Sequence, residues 1–249
     1  MISALAGVIT LGFTALLTIA GVGAAFMLIP VFIALGVDLH TAMATALLLN
    51  SIAMISACVR FIRKQLVLWK LATPILLAAA LLSPAGARAG KGLDREPLLW
   101  LFTGFLLFAA GMMLFYKPGP RNTAAAPGRQ AVWGVSVGAV AGFIGGLLGV
   151  GGGNLIVPAL VWLGVEPKKA AATTAFIIIF SSFSGFLGHA ALGSIDAPLL
   201  GFTALGSVLG AVLGSWMTTE KLRQEQIKRL IGVVLLGIAA KMIWSLAAG

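Results

Sequence analysis

A glycine-rich cluster in the second half of the chain has the composition of an anion-binding turn. The residues Gly149-Val-Gly-Gly-Gly-Asn154 lie between two apolar runs. Glycine tolerates positive φ and lets a ligand approach the backbone. A helix that begins after such a turn directs free N–H groups and the positive end of its dipole at it, which favours an anion. The cluster therefore predicts a substrate site that includes Gly149, Gly151, Gly152, Gly153 and Asn154. The alternative is that these glycines only allow helices to pack closely.

The same segment occurs in a degenerate form in the first half of the chain. The residues Gly21-Val-Gly-Ala-Ala-Phe-Met-Leu-Ile-Pro30 match Gly149–Pro158 at an offset of 128 residues, and the match continues without a gap to Thr45 and Thr173. Hydrophobic segments interrupted at corresponding positions of two repeats point to a transporter with its site between the repeats. Gly21 and Gly23 are therefore predicted to face the same substrate, and Pro30 and Pro158 are predicted to be structural kinks.

Neutral polar side chains follow each glycine cluster. Thr45 and Asn50 come after the first cluster, and Thr173 and Thr174 come after the second. Hydroxyls and amides can hydrogen-bond an anion without the burial of a charge, so these four residues are candidate substrate ligands. The alternative is hydrogen bonding between helices or to the carbonyl four residues earlier. That structural interpretation is favoured for the other serines of these helices, which are Ser51, Ser56, Ser181, Ser182 and Ser184.

The chain lacks the patterns of an enzyme or a metal site. It contains no GxSxG, HExxH or Walker A motif. Its two histidines and single cysteine are too few for a metal-ligand cluster. We therefore expect no catalytic residue, no metal and no cofactor. No acidic residue falls in the middle of an apolar run, which argues against a cation pump built on buried carboxylates.

Composition identifies a membrane protein. Of the 249 residues, 60% are hydrophobic and 10% are charged, whereas soluble domains carry about 25% charged residues. Apolar runs of about 18 residues or more, such as 98–116, predict transmembrane helices. The net charge of +10 lies in short loops between these runs. The positive-inside rule explains that placement better than nucleic-acid binding does. We therefore predict an all-α polytopic membrane protein.

Each half divides into four helical elements. The linker 117–130 is rich in proline and glycine and basic, and is predicted to be cytoplasmic. It separates a first transmembrane repeat, 1–116, from a second, 131–249. The successive elements of the first half are predicted at 2–35, 42–60, 68–87 and 98–116, and those of the second half at 131–164, 170–190, 197–217 and 227–247.

The first element of each half is too long for one membrane helix. A helix over 2–35 would run about 51 Å, against a hydrocarbon core of about 30 Å. The glycines offer a break, which gives 8 to 10 helical segments in all. If the chain reverses there, thirteen basic residues lie on one face and four on the other, as the positive-inside rule requires. The thirteen are Arg60, Arg63, Lys64, Lys70, Lys117, Arg121, Arg129, Lys168, Lys169, Lys221, Arg223, Lys228 and Arg229, and the four are Arg88, Lys91, Arg95 and Lys241.

This charge distribution predicts two inverted repeats. With a reversal in its first element, each half crosses the membrane an odd number of times, so the second half has the opposite orientation. Both termini are then predicted to lie outside, and the basic loops are predicted to lie in the cytoplasm.

The glycine, proline and threonine pattern resembles a known family. The sequence from Gly149 to Asn154 with Pro158, the following Leu163-Gly-Val-Glu-Pro-Lys-Lys-Ala-Ala-Ala-Thr-Thr174, and the degenerate copy at 21–45 are similar to the sulfite exporter TauE/SafE family, also called the 4-toluene sulfonate uptake permeases. The resemblance covers essentially the whole chain. The first copy departs from the pattern, with Ala24, Ala25 and Phe26 in place of the glycines and asparagine of the second.

The resemblance implies a secondary transporter of small sulfur-containing anions, such as sulfite, sulfoacetate or other organosulfonates. It also implies a multi-pass protein of the bacterial inner membrane with seven or eight helices. The residues alone support an anion site without reaching sulfur, so a carrier of another solute such as a carboxylate stays open, as does a membrane assembly subunit that transports nothing. Also left open are the direction of transport, its coupling (with the proton gradient as one candidate) and the oligomeric state (with a homodimer as one candidate).

Overall fold

The computed structural model describes residues 2–37, 39–90, 95–115, 127–189 and 197–247. These residues form ten α-helices, and a π-helical turn, Met217–Lys221, joins the last two. In chain order the helices are α1 Ile2–Ala20, α2 Ala25–Ala34, α3 Leu39–Arg63, α4 Trp69–Ala89, α5 Arg95–Phe115, α6 Pro127–Leu147, α7 Gly153–Trp162, α8 Pro167–His189, α9 Ala197–Trp216 and α10 Gln224–Ala247.

The first element of each half is broken at its glycine cluster, as its length predicts. The turn 21–24 separates α1 from α2, and the turn 148–152 separates α6 from α7. Five turn glycines adopt positive φ, a region that other residues rarely enter: Gly21, Gly23, Gly149, Gly151 and Gly152. The helix α6 begins at Pro127, so its first turn includes the end of the segment predicted as a linker. The rest of that linker lies outside the described residues.

Four of the helices in the described residues are long and apolar enough to cross a membrane. They are Thr41–Arg63, Trp69–Ala89, Pro167–His189 and Pro198–Lys221. Together with the shorter apolar helices on either side of the glycine turns, they account for the strongly hydrophobic composition. The molecule is therefore an all-helical protein with several membrane-spanning elements.

A row of three glycines holds α6 against α4. A Cβ atom at Gly138, Gly142 or Gly146 would lie against the carbonyl oxygen of Ile75, Ala79 or Ser83, respectively. Small residues at four-residue spacing allow such close backbone approach between membrane helices. Because the residue numbers rise together along both helices, α4 and α6 run parallel.

A second glycine row holds α9 against α1. A Cβ atom at Gly206, Gly210 or Gly214 would lie against the carbonyl oxygen of Gly7, Leu11 or Ala15, respectively. These two helices also run parallel. By contrast, Gly104 and Gly201 have no neighbour within 4 Å of a Cβ position.

The helices α3 and α8 cross at the centre of the molecule. The Ser51 hydroxyl donates to the Ile179 carbonyl at 3.0 Å, and Asn50 Nδ2 donates to Ser182 Oγ at 3.0 Å. Further along, Gly185 lies against the Leu47 side chain. Because the α8 partner number rises as the α3 number falls, these helices run antiparallel. Positions 51 and 179 are also equivalent in the repeat, since 128 residues separate them.

Three loops predicted to face the cytoplasm lie together at one end of the helices. Lys64 Nζ, one residue past α3, is 2.7 Å from Glu220 Oε1 in the π-helical turn that follows α9. The Lys168 N–H, at the start of α8, donates to Gln224 Oε1 at 2.9 Å. Contacts of exposed side chains such as these add little to stability. They do place the segments around 64, 166–169 and 220–224 on the same end of the molecule.

Candidate functional site

The two glycine turns, one from each half, meet at Asn50. The Ala24 N–H at the start of α2 donates to Asn50 Oδ1 at 2.8 Å. From the other half, the position of a Cβ atom on Gly151 is 3.3 Å from Asn50 Nδ2. Asn50 is fully buried on α3. Its amide therefore contacts both turns from the middle of a long membrane helix.

Two serines of α8 complete this hydrogen-bond network. Ser182 Oγ accepts the Asn50 amide, and the Ser181 hydroxyl donates to the Gly151 carbonyl at 3.0 Å. Both serines are buried. The sequence favoured a structural role for them, and their helical position gave no sign that they reach the turn. The structural interpretation holds for Ser56 and Ser184, which bond to the carbonyls of Ile52 and Ala80, respectively.

The network excludes side chains from the turn positions. A Cβ atom at Gly151 would collide with Ser182 Oγ, and the residue has a φ of +74°. Gly21 lies against Ala171, and Gly149 lies against Met43. These two contacts are equivalent, because Gly149 follows Gly21 by 128 residues and Ala171 follows Met43 by the same 128 residues. Each turn thus packs against a long helix of the opposite half, the first turn against α8 and the second against α3.

The starts of α2 and α7 differ. Asn50 accepts the Ala24 N–H at the N-cap of α2, whereas no side chain caps α7 at its N-cap residue, Gly152. Ile178, the repeat equivalent of Asn50, presents Cδ1 to Gly153. The N–H groups of Gly152, Gly153 and Asn154 have no acceptor among the described residues. The start of α2 therefore has a side-chain acceptor for one of its N–H groups, and the start of α7 has none among the described residues.

The remaining predicted ligands fall into two groups. Thr45 bonds to its own helix at the Thr41 carbonyl, 2.7 Å away, and Thr173 Oγ1 accepts the Leu68 N–H at the start of α4 at 3.0 Å. By contrast, Asn154 Oδ1 and Thr174 Oγ1 are buried without a partner in the described residues. Pro158 lies inside α7, so the Asn154 carbonyl lacks its usual helical donor. Pro30 lies inside α2.

The arrangement offers neutral donors and no charged group. Backbone N–H groups, an amide and hydroxyls surround the turns, and within the described residues no cluster of His, Cys, Asp or Glu could hold a metal ion. Neutral donors can hold an anion while they leave it free to depart. The geometry is therefore chemically suited to transient binding of a small oxyanion.

Comparison with known proteins gives a family match over nearly the whole chain. The family model for "Sulfite exporter TauE/SafE" matches residues 4–242. The chain is 28% identical over 222 residues to "Probable membrane transporter protein YunE" of Bacillus subtilis (strain 168), which covers 82% of this chain and 81% of that protein. A "Probable membrane transporter protein" of Xylella fastidiosa (strain Temecula1 / ATCC 700964) is 25% identical over 215 residues, which are 82% of this chain and 80% of that protein.

A shorter match links the chain to a plant protein. "Sulfite exporter TauE/SafE family protein 1" of Arabidopsis thaliana is 35% identical over 99 residues, which are 40% of this chain and 22% of that protein. No solved structure matches the chain.

Proposed function

We propose a transport function from the premise that this chain belongs to the sulfite exporter TauE/SafE family. The family and the four long apolar helices indicate a multi-pass membrane transporter. The finer proposal is a secondary carrier of small sulfur-containing anions, which include sulfite, sulfoacetate and other organosulfonates. Its membrane would be the bacterial inner membrane, and its driving force would come from an ion gradient such as that of protons.

We also propose that the two halves are inverted repeats. The equivalent helices α3 and α8 run antiparallel, and Ser51 bonds to its own repeat equivalent, Ile179. Packing is exchanged between the halves: α1 packs on α9, and their counterparts α6 and α4 pack on each other. Both features are expected of a two-fold axis that lies in the membrane plane and passes between α3 and α8. In transporters built this way, the substrate site lies near that axis.

The convergence of both glycine turns on Asn50 is the observation that carries the proposal. Non-helical backbone at membrane depth is tolerated only where it is buried in protein or lines a cavity. Because Asn50 already occupies the start of α2, the substrate would bind at the start of α7. The N–H groups of Gly152, Gly153 and Asn154 would face the anion there, and Thr174 would supply a hydroxyl. Hydrogen bonds to a charged group contribute about 1.5–3 kcal/mol each.

Uptake into proteoliposomes tests this function. Purified protein would be reconstituted and presented with labelled sulfite, sulfoacetate or acetate, with and without a pH gradient. We expect saturable uptake of at least one sulfur oxyanion, abolished by Gly151→Val. Faster uptake of acetate than of either sulfur compound would identify a carboxylate carrier instead. No uptake of any anion, by protein that is monodisperse and correctly inserted, would favour the assembly-subunit interpretation.

A further inference from the structure

The interface between α1 and α9 carries a line of buried hydroxyls. Thr10, Thr14 and Thr18 recur every four residues on one face of α1, and Ser207 lies on α9. All four are fully buried, and their hydroxyl oxygens have no hydrogen-bond partner in the described residues. We call these four residues the hydroxyl seam. Thr14 and Thr18 face α9, since a Cβ atom at Gly210 would be 3.0 Å from Thr14 Cβ, and one at Gly214 would be 2.9 Å from Thr18 Cβ.

Three buried threonines elsewhere in the molecule satisfy their hydroxyls within the chain segment just before them. Thr45, Thr203 and Thr218 each donate to the carbonyl four residues earlier, which is the usual solution in a membrane helix. The seam threonines have the same option and do not take it. Hydroxyls turned to a neighbouring helix without a protein partner need water or a polar solute as a partner, because unpaired buried polar groups are rare.

The repeat supplies an internal control for the seam. The positions equivalent to Thr10, Thr14 and Thr18 are Gly138, Gly142 and Gly146, and the position equivalent to Ser207 is Ala79. The equivalent helix pair, α6 on α4, therefore has no hydroxyl at any of these four positions. Close helix packing thus does not require hydroxyls at these positions, since glycine and alanine occupy them between α6 and α4.

The seam leads directly to the first glycine turn. The Thr18 carbonyl accepts the Gly21 N–H at 3.0 Å, and two residues later Gly23 lies against Asn50. A solute that moved along the seam would therefore pass from one hydroxyl to the next and arrive at the Asn50 network. Hydroxyls both donate and accept, so they suit a hydrated anion without holding it tightly.

We propose that the hydroxyl seam is the path by which water and the anion reach the site, and that it opens when α1 separates from α9. The seam is closed in this structure, since its hydroxyls are fully buried. The interface of α4 with α6, which lacks hydroxyls at the equivalent positions, stays closed throughout. The path rests on the proposed transport function, and it gives different tasks to two equivalent helix pairs, α1 with α9 and α6 with α4.

Cysteine accessibility tests the path without reference to any transported substrate. Single cysteines would replace Thr14, Thr18 or Ser207 in a Cys58→Ser background in proteoliposomes. The probe is 2-sulfonatoethyl methanethiosulfonate, a small anionic reagent that itself carries a sulfonate. Only a hydrated thiol that can ionise reacts with it. The matched control is Ala79→Cys, the repeat equivalent of Ser207→Cys, and Val8→Cys provides a control on the exposed face of α1.

We expect the three seam cysteines to react at least tenfold faster than Ala79→Cys and Val8→Cys. Equal rates at Ser207→Cys and Ala79→Cys, or no reaction at any seam position in monodisperse protein, would overturn the path. A second measurement compares uptake by Thr14→Val, expected to fall at least tenfold, with uptake by Thr14→Ser, expected to stay near that of the wild type. If the seam cysteines react but no sulfur anion is taken up, the proposed substrate is wrong and the proposed path is retained.

Discussion

At the scale of single residues, Asn50 is the side chain that both halves share. Its carbonyl oxygen accepts an N–H from one glycine turn, and its amide nitrogen donates to Ser182 beside the other. An amide can serve both neighbours because it combines an acceptor with two donors. A carboxylate would put a charge at the start of α2, and an apolar residue would leave both partners unsatisfied.

Replacement of Asn50 by alanine is therefore expected to lower stability as well as transport. The Ala24 N–H would lose its acceptor inside the protein, and an unsatisfied buried group costs about 1–3 kcal/mol. Thermal unfolding in detergent should show a lower midpoint for Asn50→Ala. The matched control is Ser56→Ala, because Ser56 bonds only to its own helix at Ile52. Equal midpoints for the two variants would show that the Asn50 hydrogen bonds do not stabilise the protein.

A second test at this scale separates backbone strain from contact at the site. Gly151 and Gly36 both have positive φ, but a Cβ atom would meet Ser182 Oγ at Gly151 and nothing within 4 Å at Gly36. Alanine at either position adds strain of about 1–3 kcal/mol. We expect Gly151→Ala to abolish uptake and Gly36→Ala to reduce stability while uptake continues. Loss of uptake in both folded variants would show that strain alone stops transport.

At the scale of helices, the two glycine rows make a direct prediction about packing. Gly142→Val would push a branched side chain onto the Ala79 carbonyl, whereas Gly104→Val would meet nothing within 4 Å. Overpacking typically destabilises by about 1–3 kcal/mol. We expect Gly142→Val to lower the thermal midpoint in detergent and Gly104→Val to leave it unchanged. A midpoint equal to that of the wild type for Gly142→Val would mean that Gly142 does not lie against the Ala79 carbonyl.

The helices themselves were largely predictable from sequence, because apolar length and glycine breaks are local signals. The prediction for the first element rested on the mismatch between 2–35 and the bilayer thickness, and α1 and α2 do separate at the glycines. The pairing of the helices was harder to predict from the sequence. The glycine rows on α6 and α9 were visible as spacing, but sequence alone could not say that their partners would be α4 and α1 from the opposite half.

The candidate site was predictable in its turns and less so in its side chains. The repeat identifies Gly23 and Gly151 as equivalent turn residues, and the neutral amide of Asn50 makes it a candidate substrate ligand. The roles of Thr45 and Thr173 were not determined by residue type, because a hydroxyl can serve its own helix, a neighbour or a substrate. The rotation of each helix decides between these, and it depends on packing between elements far apart in sequence.

At the scale of the whole molecule, the repeat has diverged in both the turns and the packing. Asn50 fills the start of α2, while Ile178 leaves the start of α7 without a polar cap. The interface of α1 with α9 holds hydroxyls where that of α6 with α4 holds glycine and alanine. Two equivalent halves would bind and move alike. The divergence fits the proposals that the anion binds at the start of α7 and that it moves between α1 and α9.

The distribution of charge predicts how the molecule sits in the membrane. Segments near Lys64, Lys168 and Gln224 lie together at one end of the helices, and they belong to the face with thirteen of the seventeen basic residues. Because short loops rich in lysine and arginine stay in the cytoplasm, we expect this end to be cytoplasmic. Single cysteines at Asn122 and Gln224, in a Cys58→Ser background, should resist an impermeant thiol reagent in intact cells and react once the cells are permeabilised.

Leu35→Cys supplies the matched control for this topology. Leu35 is 37% exposed in the loop between α2 and α3, and the reversal of the chain at the first glycine turn predicts that this loop faces outside. The reagent should therefore label Leu35→Cys in intact cells. If the chain instead crossed the membrane once in its first element, residue 35 would lie on the face opposite the N-terminus. Labelling at Asn122→Cys and Gln224→Cys but not at Leu35→Cys would mean that the orientation in the membrane is opposite to the predicted one. Labelling at all three positions would mean that residue 35 does not lie on the face opposite residues 122 and 224.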